Sequence, residues 1–184
     1  MALWLWILIG ALSFLIIVFI YYYNRFAVLS NRIDNSLGQI DVQLKRRADL
    51  IPNLIETVKG YAAHEKAAIK TVTDARKALV SAKGIEEKVK ADRQLESALK
   101  TIFAIAEAYP DLKANTNFLE LQRELSSTED RVAYARQYYN DSILSYNNLC
   151  TTMPGAFFAG LYGRKKKDYI KIAESEKKAV KVKF

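Results

Sequence analysis

The stretch ALWLWILIGALSFLIIVFIYYY, residues 2–23, decides the architecture of this chain. It holds no charged side chain, whereas all 28 basic and 20 acidic residues follow it. At about 1.5 Å per residue it makes a helix of roughly 33 Å, enough to cross a hydrocarbon core of about 30 Å. Trp4 and Trp6 lie near one end and three tyrosines at the other, where such rings favour the membrane interface. The stretch is therefore predicted to be a transmembrane helix.

A cleaved signal peptide is the alternative interpretation of this stretch. Such a peptide needs a basic start, an apolar region of about 7–15 residues and a small-x-small cleavage site. Here no basic side chain comes first, the apolar run is longer, and tyrosines and Asn24 occupy the place of the cleavage site. We therefore predict an uncleaved anchor, residues 1–25.

The orientation of the anchor follows from the basic residues near its ends. Only the terminal amine precedes it, whereas it is followed by Arg25, Arg32, Lys45, Arg46 and Arg47. This asymmetry predicts a single-pass protein of the cell membrane, with Met1 outside and the C-terminal domain in the cytosol. The lone cysteine, Cys150, agrees with a reducing compartment.

The positive charge of the chain is concentrated at its C-terminal end. Residues 164–184 hold nine basic and three acidic side chains, so they supply six of the eight net positive charges. The region between the anchor and this tail is close to neutral, and a basic nucleic-acid-binding face is not indicated. We expect no nucleic-acid partner.

The rest of the chain is predicted to be all-α, because apolar residues recur three or four apart and no alternating β-branched stretch occurs. The first helix continues from the anchor to Pro52, and later helices cover about 54–83, 85–106 and 118–149. Short connections make neighbours antiparallel, which predicts an up-and-down four-helix bundle over residues 26–150. Pro52 marks either a hairpin, the favoured interpretation, or a kink in one long helix from 24 to 83.

The helix directions return the end of the fourth helix to the bilayer. There, residues 151–184 form an aromatic, glycine-rich loop and a basic tail. This composition is typical of an interfacial contact, although the aromatic residues could instead cap the open end of the bundle core. The candidate membrane-contact residues are Phe157, Phe158, Leu161, Tyr162, Arg164, Lys165, Lys166 and Lys167.

Residue patterns for catalysis or metal binding are not found in the sequence. His64 is the only histidine, so neither paired Glu-x-x-His motifs nor a zinc-protease helix can form. A glycine-rich phosphate loop, a G-x-S-x-G elbow and Cys-x-x-Cys do not occur either. A nucleophile–base pair of Cys150 and His64 is disfavoured, because a lone cysteine near a helix end is usually inert. We predict no catalytic, cofactor-binding or metal-ligating residues.

A series of polar residues borders the apolar stripe of the fourth helix. Gln122, Glu129 and Arg136 recur every seven residues, and Asn140 and Asn147 share that spacing. Helix one supplies further polar residues at its far end: Gln43, Lys45, Arg46, Arg47 and, just beyond, Asp49. The favoured interpretation is a half-buried polar ladder that fixes helix register. The alternative is a groove that docks a partner or ligand.

Two blocks of the sequence resemble the signatures of the LemA family. The first is QLKRRADLIPNL (43–54), continuing through ETVKGYA (56–62) to Glu65. The second is EAYPDLKAN (107–115), followed by polar and aromatic residues at 117–147. With the anchor, the resemblance covers residues 1 to about 150. It implies a four-helix bundle in a bacterial single-pass membrane protein, in a family without an established enzymatic activity. A relative contributes to building magnetosome membranes.

The signature positions form our candidate interaction or structural residues: Gln43, Arg47, Asp49, Pro52, Asn53, Glu107, Tyr109, Pro110, Asn115, Glu129, Arg136 and Asn140. Much of the signature can serve folding, since Asp49 is placed to cap a helix beginning near Pro52, and Asp111 or Asn115 could cap helix four.

The expected function is a non-enzymatic membrane-anchored scaffold that recruits a partner or organises membrane by self-assembly. The alternative is a ligand-binding module or enzyme whose pocket is built from the polar ladder. The expected partners are the lipid bilayer, further copies of the chain, and a protein that the sequence does not identify.

Overall fold

The computed structural model describes residues 2–170, which form helices joined by short connections and followed by a non-helical segment, without a strand in that range. Its elements are α1 (Ala2–Tyr61), α2 (Lys66–Ser81), α3 (Ile85–Ala106), α4 (Pro110–Lys113), α5 (Thr116–Thr151) and α6 (Gly155–Leu161). The predicted all-α class is confirmed, including a long apolar N-terminal helix that leads into a helical region. Residues 171–184 of the predicted basic tail lie outside the described residues.

The predicted hairpin at Pro52 is wrong. Pro52 lies inside α1, which runs without a break for 60 residues to Tyr61. The ring of Pro52 is exposed, whereas Ile51 and Leu54 beside it are fully buried. Their burial favours a continuous helix despite the hydrogen bond that a proline removes. The single helix from 24 to 83 is also wrong, because residues 62–65 separate α1 from α2.

Contacts divide the chain into two compact units, and α1 and α5 contribute to both. We call Leu37–Gln137 the central unit, and residues 2–36 with 138–170 the terminal unit. The core of the central unit is apolar and draws on α1, α2, α3 and α5, as shown by Ile51, Leu54, Val72, Leu95, Ile102 and Leu125. The four-helix bundle as a whole stays a prediction.

Contacts within the central unit show that α5 runs antiparallel to α1. At the start of α5, the Asn115 side-chain amide donates to the Tyr61 hydroxyl at the end of α1 (3.0 Å). Further along α5, Glu124 pairs with Arg46, one residue before Arg47 on α1 (2.9 Å). Between α2 and α3, Gly84 has a φ of +79°, a value that favours glycine, so the predicted helix break there is confirmed.

The terminal unit packs the first part of α1 against the end of α5 and α6. Phe26 and Tyr146 meet edge to face, with ring centroids 5.9 Å apart, and both are buried. Residues 155–161 were expected to form a loop but fold as α6. This is possible because Gly155 follows α5 so closely that a Cβ there would clash with the carbonyl oxygen of Leu149.

The N-terminal part of α1 has the properties of a membrane span. Its most apolar 18-residue window has a mean hydropathy of 2.8, and none of its residues is buried within the protein. In the described part of the chain, this is the one helix long and apolar enough to cross a bilayer. As predicted, the helix continues beyond residue 25 without a break.

Candidate functional site

Four charged side chains from three helices form an ion-pair cluster in the central unit. Asp92 on α3 pairs through Oδ1 with Nη1 of Arg47 on α1 (2.9 Å) and through Oδ2 with Nη2 of Arg136 on α5 (2.6 Å). The second terminal nitrogen of Arg47 reaches Oε2 of Glu129, also on α5, at 3.3 Å. The cluster therefore links α1, α3 and α5 and contains two cations and two anions.

The centre of the cluster is removed from solvent. The side chains of Arg47 and Asp92 are each 2% exposed, whereas that of Glu129 is 48% exposed. Burial raises the pKa of Asp92, and the Arg47 and Arg136 guanidinium groups oppose that shift. Both oxygens of Asp92 are engaged by arginines, so this carboxylate is not available as a free general base.

Asp92 is the central residue that sequence reasoning missed. It lies three residues after Val89 and three before Leu95, on the buried face of α3. A charged residue at a position of an apolar helical stripe is the signal that could have identified it, because a buried charge needs a partner. Sequence reasoning singled out Arg47, Glu129 and Arg136; the structure pairs Arg47 and Arg136 with Asp92, and Glu129 with Arg47.

The other ladder residues do not join the cluster. Gln122 is exposed on α5. In the terminal unit, Asn147 holds the main chain of Lys167 by two hydrogen bonds of 2.9 Å. Asn140 holds Ile170 in the same way, at 3.2 and 2.9 Å. These two amides thus bind the extended segment after α6, because a side-chain amide matches the N–H and C=O of one residue.

The spacing of the two asparagines fits this extended segment. Seven helical residues rise about 10.5 Å, and three extended residues span roughly 9–10 Å. The extended segment also contacts α5 through a cation–π interaction, since Nζ of Lys167 lies 5.4 Å from the ring centroid of Tyr146. The seven-residue ladder therefore serves two separate purposes: ion pairs in the central unit and main-chain binding in the terminal unit.

The second signature block lies at the turn between α3 and α5. Asn115 caps α5, because its Oδ1 accepts a hydrogen bond from the N–H of Phe118 (3.0 Å). Tyr109 donates through its hydroxyl to Glu65 (3.1 Å), Pro110 begins α4, and Glu107 pairs with Lys113. The residues of this block therefore make contacts at the end of α3, in α4 and at the start of α5.

The remaining signature residues lie on the central-unit part of α1. Asp49, Pro52 and Asn53 are exposed, and Gln43 is half-buried. The predicted capping role of Asp49 is wrong, because α1 continues through that position and no helix begins at Pro52. Asp49 instead lines a groove of about 390 Å³ between α1, α2 and the start of α3, with an apolar floor that includes Leu44 and Leu79.

A smaller cavity adjoins the polar ladder. It measures about 200 Å³ and is lined by Arg47, Gln122 and Glu129 together with residues of α3 such as Phe103. Pockets that enclose small organic ligands usually measure about 300–1,000 Å³. The cavity is therefore small for the ligand-binding alternative.

The described residues contain no group of three or more His, Cys, Asp or Glu side chains placed to hold a metal ion. Burial raises the pKa of Cys150, so its thiol is protonated at neutral pH. His64 is exposed on the α1–α2 turn.

The candidate membrane-contact residues lie at and after α6 in the terminal unit. Phe157 and Leu161 are exposed, whereas Phe158 and Tyr162 pack on α1. Of the four cations that follow, Lys165 and Lys166 are exposed, while Arg164 and Lys167 are half-buried.

The family model for the LemA family matches residues 36–184. The chain belongs to the LemA family. The match includes the tail, although the sequence resemblance was expected to end near residue 150. The family match begins at residue 36, after the predicted anchor. The interpretation of the N-terminal residues as a membrane span therefore rests on their own hydropathy.

Curated relatives agree with this assignment. The chain is 27% identical to the magnetosome protein MamQ of Magnetospirillum gryphiswaldense, over 80% of this chain and 64% of that protein. It is 26% identical to the protein LemA of Metamycoplasma hominis, over 74% of this chain and 66% of that protein. The chain thus spans just under two thirds of the length of these relatives.

Proposed function

We propose that this protein is a membrane-anchored cytosolic scaffold that acts without catalysis, by recruiting a partner or by assembling with further copies. The ion-pair cluster carries the proposal. Arg47, Glu129 and Arg136 are charged signature residues, and each is engaged in an ion pair within the cluster rather than free to act on a substrate. Their arrangement supports a role in holding three helices in register. LemA-family membership and the magnetosome proteins among the relatives favour membrane association.

The oligomeric state and the co-purifying molecules of the intact chain test the scaffold role. The protein is purified in mild detergent, with and without crosslinking, separated by size exclusion with light-scattering detection, and analysed by native mass spectrometry. We expect a reproducible oligomer or a defined co-purifying protein. The control is a fusion of residues 1–25 to an unrelated soluble domain, which shows whether the anchor alone associates. A monomer that retains a small molecule in stoichiometric amount would favour the ligand-binding alternative.

The cytosolic orientation has its own test. With Cys150→Ser as background, Lys165→Cys places the sole thiol on an exposed position of the tail segment. A membrane-impermeant thiol reagent is expected to label it only after lysis, because the basic residues that follow the anchor favour the cytosolic side. Labelling of intact cells would overturn this orientation.

A further inference from the structure

The outer face of α6 and of the turn before it is an exposed apolar stripe. Phe157 and Leu161 are 63% and 58% exposed, and their spacing of four places them on one side of α6. Met153, in the turn before α6, is 78% exposed. Gly155 and Ala159, on the opposite side, are buried. This short element therefore presents large apolar side chains away from the protein, which is unusual unless something covers them.

The inner face of α6 is seated on the last turns of the uncharged run. The rings of Phe158 and Tyr22 stack with centroids 4.6 Å apart and planes inclined by 7°. The hydroxyl of Tyr162 donates a hydrogen bond to the carbonyl oxygen of Phe19 (2.7 Å), and the two rings meet edge to face at 5.1 Å. These contacts fix α6 at the level of residues 19–22.

That level corresponds to the bilayer interface. If residues 2–23 cross the hydrocarbon core, tyrosines 21–23 lie among the headgroups and Phe19 lies just inside them. An element packed on Phe19 and Tyr22 shares this depth. Its exposed apolar side chains then face the boundary between headgroups and acyl chains.

We propose that α6 is a second membrane contact, which inserts Met153, Phe157 and Leu161 into the interface of the same leaflet. The occupant of the stripe is the lipid surface, because the stripe continues the lipid-facing surface of the anchor. The proposal rests on α1 spanning the bilayer and is independent of the scaffold role. Two membrane contacts, the anchor and α6, would restrict the tilt and rotation of the terminal unit relative to the membrane.

The cations after α6 divide between the protein and the lipid surface. Lys167 is directed to the protein, since its Nζ lies 3.5 Å from the hydroxyl of Ser30 and over the ring of Tyr146. Arg164 is half-buried as well, whereas Lys165 and Lys166 are exposed beside the end of α6. Exposed cations next to an interfacial apolar stripe favour anionic headgroups. Lys165 and Lys166 therefore complete the contact.

Tryptophan quenching by brominated lipids tests the proposal on the full chain. With Trp4→Phe and Trp6→Phe as background, Phe157→Trp supplies the only indole, and the protein is reconstituted at one copy per nanodisc. One copy per disc excludes coverage of the stripe by a second chain. We expect at least threefold stronger quenching than for Tyr169→Trp, a matched exposed aromatic position in the segment that Asn140 and Asn147 bind.

A second reporter guards against local disturbance by the new indole. Leu161→Trp places it one turn further along the same face, and strong quenching is expected there too. Circular dichroism checks that each variant keeps its helical content. Quenching of both stripe reporters no greater than that of the Tyr169→Trp control would overturn the proposal.

A matched pair of charge variants tests the lipid preference. The change Lys165→Gln with Lys166→Gln is expected to reduce, by at least half, the extra quenching of the Phe157→Trp reporter in anionic compared with zwitterionic discs. The change Arg164→Gln with Lys167→Gln removes the same charge from protein-facing positions and should have a smaller effect. An equal or larger effect of the second pair would refute the role of Lys165 and Lys166.

Discussion

Neutralising Asp92 should destabilise the central unit far more than neutralising any exposed carboxylate. Asp92→Asn preserves the shape of the side chain but leaves Arg47 and Arg136 facing each other without the carboxylate between them. Arg47 is 2% exposed and retains only Glu129, at 3.3 Å. Removing one partner of a buried ion pair costs about 3–5 kcal/mol, because a buried charge is left uncompensated.

Two carboxylates of the same kind provide matched controls on α5. Glu129→Gln removes a half-exposed partner of the buried Arg47, and Glu124→Gln removes a similarly exposed partner of Arg46, which is itself close to half-exposed. Arg46 and Glu124 are both close to half-exposed, and exposed ion pairs contribute about 0–1 kcal/mol, so Glu124→Gln should cost no more than about 1 kcal/mol. Glu129→Gln leaves the buried Arg47 paired with Asp92 at 2.9 Å, so its cost should lie between those of Glu124→Gln and Asp92→Asn. All three variants exchange a carboxylate for an amide, so that burial is the main difference between them.

Urea denaturation of the full chain in detergent, followed by circular dichroism, measures the three free energies of unfolding. For a chain of this size, the loss at Asp92 corresponds to a fall in Tm of roughly 6–20 °C. If Asp92→Asn were within 1 kcal/mol of the unchanged protein while the helices stayed intact, the cluster would not be a buried, stabilising centre. The structural interpretation of the signature charges would then fail.

Three further outcomes follow from the terminal unit. Asn147→Ala removes both hydrogen bonds to Lys167, so hydrogen exchange of the backbone amides in the extended segment should accelerate by roughly tenfold or more. As a control, Asn148→Ala, at the exposed neighbouring position, should leave the exchange rate unchanged. Gly155→Ala should cost about 1–3 kcal/mol in a thermal melt, because its Cβ meets an α5 carbonyl, while Gly160→Ala, with open space around it, should be neutral. Burial raises the pKa of Cys150, so the thiolate is scarce at neutral pH; alkylation in the folded protein should be slower than in urea and increase only at more alkaline pH, and equal rates at pH 7.5 would contradict this.

The helices were predictable because their boundaries depend on local chemistry. α3 begins directly after Gly84 and ends before Tyr109-Pro110, as the sequence indicates. The rule that proline ends a helix gave a wrong prediction at Pro52, because it considers only local sequence. The burial of Ile51 and Leu54, which favours the continuous helix, is a tertiary effect. α6 was missed for a similar reason, since its glycines resemble a loop until the close approach of Gly155 to α5 is seen.

The candidate site was predictable only in part. The seven-residue spacing identified Glu129, Arg136, Asn140 and Asn147 as one ladder, and the residues do engage in polar contacts. Their partners come from elsewhere in the chain, and a spacing within one helix cannot identify them. Asp92 in particular lies on α3, outside both signature blocks.

Photo-crosslinking in living cells tests the scaffold role most directly. A photoreactive amino acid replaces Val80, an exposed residue in the groove beside Asp49, and in a second variant the exposed Tyr134 on α5. The account predicts a discrete, light-dependent adduct at one or both positions, with a second copy of the chain or with one defined protein. If neither variant, nor a scan of the other exposed positions of the central unit, gave an adduct, while the purified protein retained a small molecule, the scaffold role would be contradicted.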